Sequence, residues 1–359
     1  MLRIRVPRGH NLTTFKSKDT CSMRHWLRLF SGILAIAAPI AAGAETPAAA
    51  VACQGTDMIA EMESKDAELY KSIIADAKKL ENTESLLWKA EKPGQAPSYL
   101  FGTVHLSDER VTVLSDKVKA ALHTSKQLAV EVADLSQEAV TKAMANAAGL
   151  LIYTDGQTLS SKLTAAEFKQ VEAILGKSGL PGDMAPLLRP WLVSMLMAIS
   201  DCERKRVEAG ITVLDMKLEE QAKKDSIAII GLETIEQQLG SLAEVPDDQQ
   251  IQMLKSGLQF ANRTDDMIET MVQMYLKRQM GAAVPFQMAL AAKSGTPAAA
   301  YEGFQKSLLV DRNARMKDKV IPLIDKGGAF VAVGALHLPG KTGLVALLRE
   351  AGYTITAAE

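Results

Sequence analysis

The chain has 359 residues, 47% of them hydrophobic and 23% charged, with a formal net charge of −1. That length allows one large domain or two with a sizeable core, and the near-neutral balance without a long basic run leaves no electrostatic footprint for nucleic acid. Aromatic residues are scarce while methionine, at 16, is plentiful, a composition that suits a helix-rich body with adaptable packing.

The first fifty residues read as a targeting region. Arg24 and Arg28 make a basic start, 29–42 is an apolar stretch too short to span a bilayer comfortably, and Ala42-Gly43-Ala44 offers a small-residue cleavage site. Residues 1–22 are polar and unlike a signal n-region, so Met23 is an alternative start. We therefore read 1–44 as a signal peptide, 45–52 as a flexible Ala/Pro leader and 53–359 as the folded domain. The competing reading is an uncleaved anchor. Export to the periplasm follows from the first, with no stable membrane span after cleavage. Cys21 leaves with the signal, so Cys53 and Cys202 remain. An oxidising compartment invites one disulfide between them, two separate buried thiols being the alternative. A lipoprotein box at Cys53 is a third reading, disfavoured because the apolar stretch ends too far upstream.

Residues 58–80 space Met58, Ile59, Met62, Leu69, Ile73 and Ile74 as one helical face. Residues 84–91 (ESLLWKAE) read as a strand, Lys92-Pro93-Gly94 as its turn, and 99–104 as the returning strand of a hairpin. That second strand meets Gly102, where a missing Cβ permits a close approach, and then His105. A polar loop, 107–110, ends on Arg110; a helix over 116–125 and a strand over 127–132 follow, the strand delivering Glu131. From 136 to about 206 the pattern is helical, with a capping box at Thr164–Glu167 and an apolar helix at 191–199 after Pro190. A helix over 210–223 opens GITVLDMKL, and a strand over 226–230 leads into Glu233. Residues 235–319 are again helical, broken at Pro246, Pro285 and Gly295-Thr296-Pro297, with Arg312 just inside the last helix. The methionines of 267–280 recur at helical spacing and read as core packing. Then 328–339, GAFVAVGALHLP, repeats the earlier frame: a buried strand, Gly334 and His337. A short amphipathic helix at 340–352 and a strand at 353–356 close the chain. The fold class is α/β, a sheet core built from N- and C-terminal strand–helix units with a large helical insertion over about 136–206 and 235–319.

Both motifs have the form strand–Gly-x-x-His–Leu, and of the three histidines beyond the signal, two occupy this frame. Ligands of open α/β sheets bind outside the carboxyl ends of the strands, where His105, Glu131, Glu233 and His337 all arrive. Two imidazoles and a carboxylate from this set suit a catalytic divalent metal with an open position for water. The same trio can work without metal, one histidine serving as general base. Arg312 can hold a substrate carboxylate or an oxyanion through its planar fork. Ordinary readings stand beside these: an ion pair for Glu131 and Arg312, and a carboxylate favoured by the helix dipole for Glu233. HExxH, Cys-x-x-Cys, Gly-x-Ser-x-Gly and phosphate-cradling glycine loops are all absent.

The motifs GTVH at 102–105 and GALH at 334–337 resemble the hallmark of the TraB/GumN family, which includes the Tiki metalloproteases. The likeness extends in order through LWKAE…PSYLFGTVHLSDERV, the strand ending in Glu131, GITVLDMKL, IIGLETIEQQL, DRNARM and VAVGALHLPGKTGLVALLREAGY. It implies a site of His105, Glu131, Arg312 and His337, in which His105, Glu131 and His337 are the candidate ligands of a divalent ion of open identity, Mn, Co or Zn; Arg110 and Glu233 stand in a second tier. It also implies an exported, metal-dependent, peptidase-like hydrolase acting on a peptide or small-molecule substrate. Two other classes remain open: a non-catalytic periplasmic protein that binds a peptide, a tetrapyrrole or a metal, and an accessory protein of surface-polysaccharide production. Family membership alone does not prove catalysis.

Overall fold

A computed structural model describes residues 53–359; the signal peptide, the alternative start at Met23 and the 45–52 leader lie outside the described residues. Its strands are β1 (Leu87–Glu91), β2 (Ser98–Thr103), β3 (Gln127–Val130), β4 (Ala228–Gly231), β5 (Ala329–Gly334) and β6 (Thr354–Ala357). They form one sheet in the order β4-β3-β5-β2-β1-β6. β1 and β2 make the expected antiparallel hairpin, and β1 is also antiparallel to β6. The other four strands run parallel, β5 lying between β2 and β3, and β4 outside β3. A strand from the end of the chain is thus inserted between two from its beginning. That insertion brings the two glycine–histidine motifs side by side.

Burial explains the composition of β5. Ala329, Phe330, Val331, Ala332 and Val333 are all buried, the continuous apolar run of a parallel strand covered on both faces. Phe330 and Ala332 pack with Phe101, Leu128 and Val130 on one face. On the other, Val331 and Val333 meet Trp88, Leu100 and the helices Asp311–Ile324 and Leu344–Glu350 through Met316, Val320 and Leu348. The insertion carries a core of its own around Leu175, Leu192 and Leu254. Its helix Ala165–Lys177 opens on the expected capping box, Thr164 with Glu167.

Local differences from the sequence reading have local causes. The 58–80 helix is two helices, Met58–Lys65 and Ala67–Ala77, because Asp66 leaves helical geometry (φ −149°) and caps the second through Leu69 N–H. The fourth strand starts at Ala228, two residues late, after Ser226 turns with φ 55°.

Cys53 and Cys202 form a disulfide, which ties the start of the described chain to the helix Asp201–Glu208. Two free thiols are thereby set aside. Across a sequence separation of 149 residues the chain-entropy model gives such a bridge about 5 kcal/mol. Among the described residues no helix is long and apolar enough to cross a membrane.

Candidate functional site

Registration of β2 on β5 pairs Thr103 with Gly334 and Gly102 with Val333, so the two motifs are neighbours offset by one residue. A Cβ on Gly102 would stand 3.0 Å from Ala335 Cα and 3.0 Å from a Leu338 methyl carbon. Glycine is therefore required for the first motif to lie against the second. Gly334 has a different duty. A Cβ there would stand 3.3 Å from Glu131 Oε1 and 3.6 Å from His337 Cδ2, in the space those two side chains share.

His337 ends a single 3-10 turn, Ala335–His337, and is buried. Its Nδ1 lies 2.7 Å from Asn313 Oδ1, while Asn313 Nδ2 donates to the Thr342 carbonyl at 2.8 Å. The second bond fixes which way the amide faces, so Nδ1 must be the donor and Nε2 keeps its lone pair. Burial pushes the imidazole down to about 4 despite the opposing pull of Glu131, and it is neutral at neutral pH. Its Nε2 stands 3.8 Å from Glu131 Oε1.

Glu131 follows directly on β3. Its Oε1 accepts Gly334 N–H at 2.7 Å, and its Oε2 accepts Arg312 Nη2 at 2.7 Å and Gln238 Nε2 at 2.9 Å. Burial raises the carboxyl, but His337, which is charged at the low pH where Glu131 titrates, together with Arg312, His105 and the Gly334 amide, outweighs it and holds Glu131 well below the usual range. Arg312 opens the helix Asp311–Ile324 directly after a π-helical turn, Lys306–Val310. Its Nε and Nη2 also donate to Glu233 Oε2, at 2.9 and 2.6 Å. The fork thus spans two buried carboxylates, and the ion-pair reading of Arg312 describes its contacts. Glu233 precedes the Thr234 cap of the helix Ile235–Ala243, but its burial against Arg312 makes it more than a dipole partner.

His105 stands at the rim, two residues beyond β2, with its side chain 63% exposed. Its Nδ1 lies 2.8 Å from Asp215 Oδ2, and the other oxygen of Asp215 accepts the Thr103 hydroxyl at 2.6 Å. The Asp215 carboxylate pushes this imidazole up to about 9 against partial desolvation. His105 also senses the charges of Glu131 and Arg312, and His337 senses that of His105. Arg110 is not part of this group. It is engaged instead by Asp108 and, through two parallel bonds of 3.0 and 2.7 Å, by Glu269.

Three residues here escaped the sequence reading: Asp215, Asn313 and Gln238. Each follows a helix start by a few positions, where Asp, Asn and Gln are common for local reasons. Asp215 lies within GITVLDMKL, and Asn313 is the neighbour of Arg312.

The donor chemistry suits a divalent ion. Both imidazoles have Nδ1 engaged by a side-chain oxygen, the arrangement that leaves Nε2 for a metal, and Glu131 Oε1 faces one of them. The three are not gathered as a ready ligand set, however. Among the described residues no three His, Cys, Asp or Glu side chains come together closely enough to hold a metal ion.

The TraB/PrgY/gumN family profile matches residues 86–357. The uncharacterized protein YbaP of Escherichia coli (strain K12) is 24% identical over 259 residues, 72% of this chain and 89% of its own. Metalloprotease TIKI2 of Xenopus tropicalis is 24% identical over 324 residues, 77% of this chain and 60% of its own. A metalloprotease TIKI homolog of Nematostella vectensis is 24% identical over 329 residues, 78% of this chain and 68% of its own. No solved structure matches the chain.

Proposed function

The chain belongs to the TraB/PrgY/gumN family, and on that footing we propose that it is an exported, metal-dependent hydrolase acting on peptide bonds, with His105, Glu131, Arg312 and His337 as its site. One observation carries the reading. His337 Nε2 and Glu131 Oε1 face each other at 3.8 Å, and neither has a proton to offer the other. A free imidazole lone pair beside an ionised carboxylate oxygen, which otherwise accepts only the Gly334 N–H, offers a cation two donors at once.

Glu131 and His337 would hold a divalent ion, with His105 as the further donor; when bound it supplies Lewis acidity and a water of lowered pKa. The chain's own groups supply the rest. Arg312 keeps Glu131 ionised and turns Oε1 toward His337 by occupying Oε2. Asn313 and Asp215 fix the two imidazole rings. The ring of His105, charged at neutral pH in the metal-free chain, would release its Nε2 proton on taking up the ion. Arg312 is committed to two carboxylates, so its part is to position Glu131 rather than to reach substrate.

Export is supported by the disulfide, which belongs to an oxidising compartment. The substrate class rests on the names of the TIKI relatives. A second reading, a non-catalytic binder of peptide or metal, is favoured by the lack of a gathered three-ligand set among the described residues. The two separate in one experiment: cleavage of a peptide library with added Mn, Co or Zn, comparing the native chain with His337→Ala. Metal-dependent cleavage lost in the variant supports the hydrolase, while metal binding without cleavage supports the binder.

A further inference from the structure

The helix Asp201–Glu208, DCERKRVE, has only two buried side chains, Glu203 and Arg206, and both are charged. Without a buried apolar face the hydrophobic effect does little to dock it, and eight residues are too few to form a stable helix alone. Polar contacts and one covalent bond hold it, among them Arg204 donating to Ser178 Oγ at 3.3 Å. Ser200 caps its start, accepting Glu203 N–H at 3.1 Å, Lys177 pairs with Asp201 at 3.0 Å, and Cys202 carries the disulfide to Cys53.

What this helix grips is the loop that carries His105. Glu203 Oε1 accepts Ser107 N–H at 2.5 Å, and Arg206 Nη1 donates to the buried Asp108 at 3.1 Å. Ser107 and Asp108 follow His105 and Leu106 directly. The other side of the loop is held by the helix Leu214–Lys224, through Leu214 N–H on the Leu106 carbonyl at 3.2 Å and through Asp215 on His105. That helix is the next one along the chain, reached through a turn at Gly210 with φ 80°. Releasing the first helix loosens one grip and removes an anchor upstream of the other.

We propose that Glu203 and Arg206 are positioning residues for His105 and that the Cys53–Cys202 bridge keeps them in place, so that the His105 side of the site is ordered only in the bridged protein. The proposal rests on His105 being a site residue, but its test needs neither metal nor peptide. A chain that hydrolyses nothing would still give a clear answer.

The test compares amide hydrogen exchange and the His105 imidazole resonances in the native protein, expressed with its own leader, with those of Cys53→Ser/Cys202→Ser, Glu203→Ala and Glu203→Gln. Glutamine keeps an acceptor oxygen for Ser107 N–H, whereas alanine orphans a buried donor. Amides of residues 104–110 should exchange roughly tenfold faster in the double-serine and alanine variants, and return toward native protection in the glutamine variant. The His105 resonances should move with them, while Ala329–Gly334 stays protected. Faster exchange confined to 53–62 and 201–208, with 104–110 and His105 unchanged, would make the bridge a staple of the N-terminal segment alone and overturn the proposal. If the double-serine variant does not fold, the contrast between alanine and glutamine at Glu203 decides: equal protection of Ser107 in the two refutes the positioning role.

Discussion

Gly102 and Ala335 lie against each other across the seam between β2 and β5, so close that a single methyl group on Gly102 would stand 3.0 Å from the Ala335 backbone. The two histidine motifs are therefore one packed unit. Gly102→Ala should cost about 1–3 kcal/mol through overpacking against backbone that cannot swing away. Urea unfolding measures it, and an unchanged midpoint would mean the seam is looser than described.

His337 makes stability depend on pH in a defined direction. Its folded pKa is about 4 against an ordinary 6.5, so between those values the unfolded chain binds a proton that the folded chain refuses. The contribution is present above 6.5 and is lost as pH falls toward 4, amounting to about 3 kcal/mol at most from 1.36 kcal/mol per unit. Unfolding free energies of the metal-free native protein and of His337→Gln, measured from pH 4 to 7.5, should differ in slope. Parallel curves would show that His337 is not buried neutral.

His105 has the opposite sign. Asp215 raises its folded pKa to about 9, so its contribution is complete below 6.5 and is lost as pH rises through 9. In metal-free protein its ring should titrate well above neutrality by NMR, and Asp215→Asn should bring the midpoint down. A native midpoint near 6.5 would remove His105 as the charged member of the pair.

Arg312 is the charge on which two buried carboxylates depend. Arg312→Met should cost about 3–5 kcal/mol, because Glu131 loses its arginine and Glu233 keeps only Arg315, at 3.6 Å. Arg312→Lys should lie between, keeping charge but losing the fork. Adding Glu233→Gln to Arg312→Met should recover part of the loss, and a double variant no more stable than the single one would contradict this account of the ion-pair group.

Much of this was legible from the sequence where the signal was local. The apolar runs before Gly102 and Gly334 fixed two strands by composition, and the repeated frame made their pairing a reasonable expectation. The turn at Lys92-Pro93-Gly94 announced the hairpin. An ion pair of Arg312 with Glu131, 181 residues away, was among the readings, but its second partner, Glu233, 79 residues away, was not legible, because only the folded sheet brings all three together. Asp215 was hidden for a related reason. A carboxylate in the first turn of a helix has a sufficient local explanation in the dipole, so its hold on His105 leaves no mark in the spacing.

The most direct test of the central claim is metal binding itself. Equilibrium dialysis against Mn, Co and Zn should find about one ion per chain in the native protein. His337→Ala and Glu131→Gln should each abolish it, with the exposed His123 as the control whose replacement by Ala changes nothing. Native protein that retains no ion, or an ion held equally well by all the variants, would contradict the account.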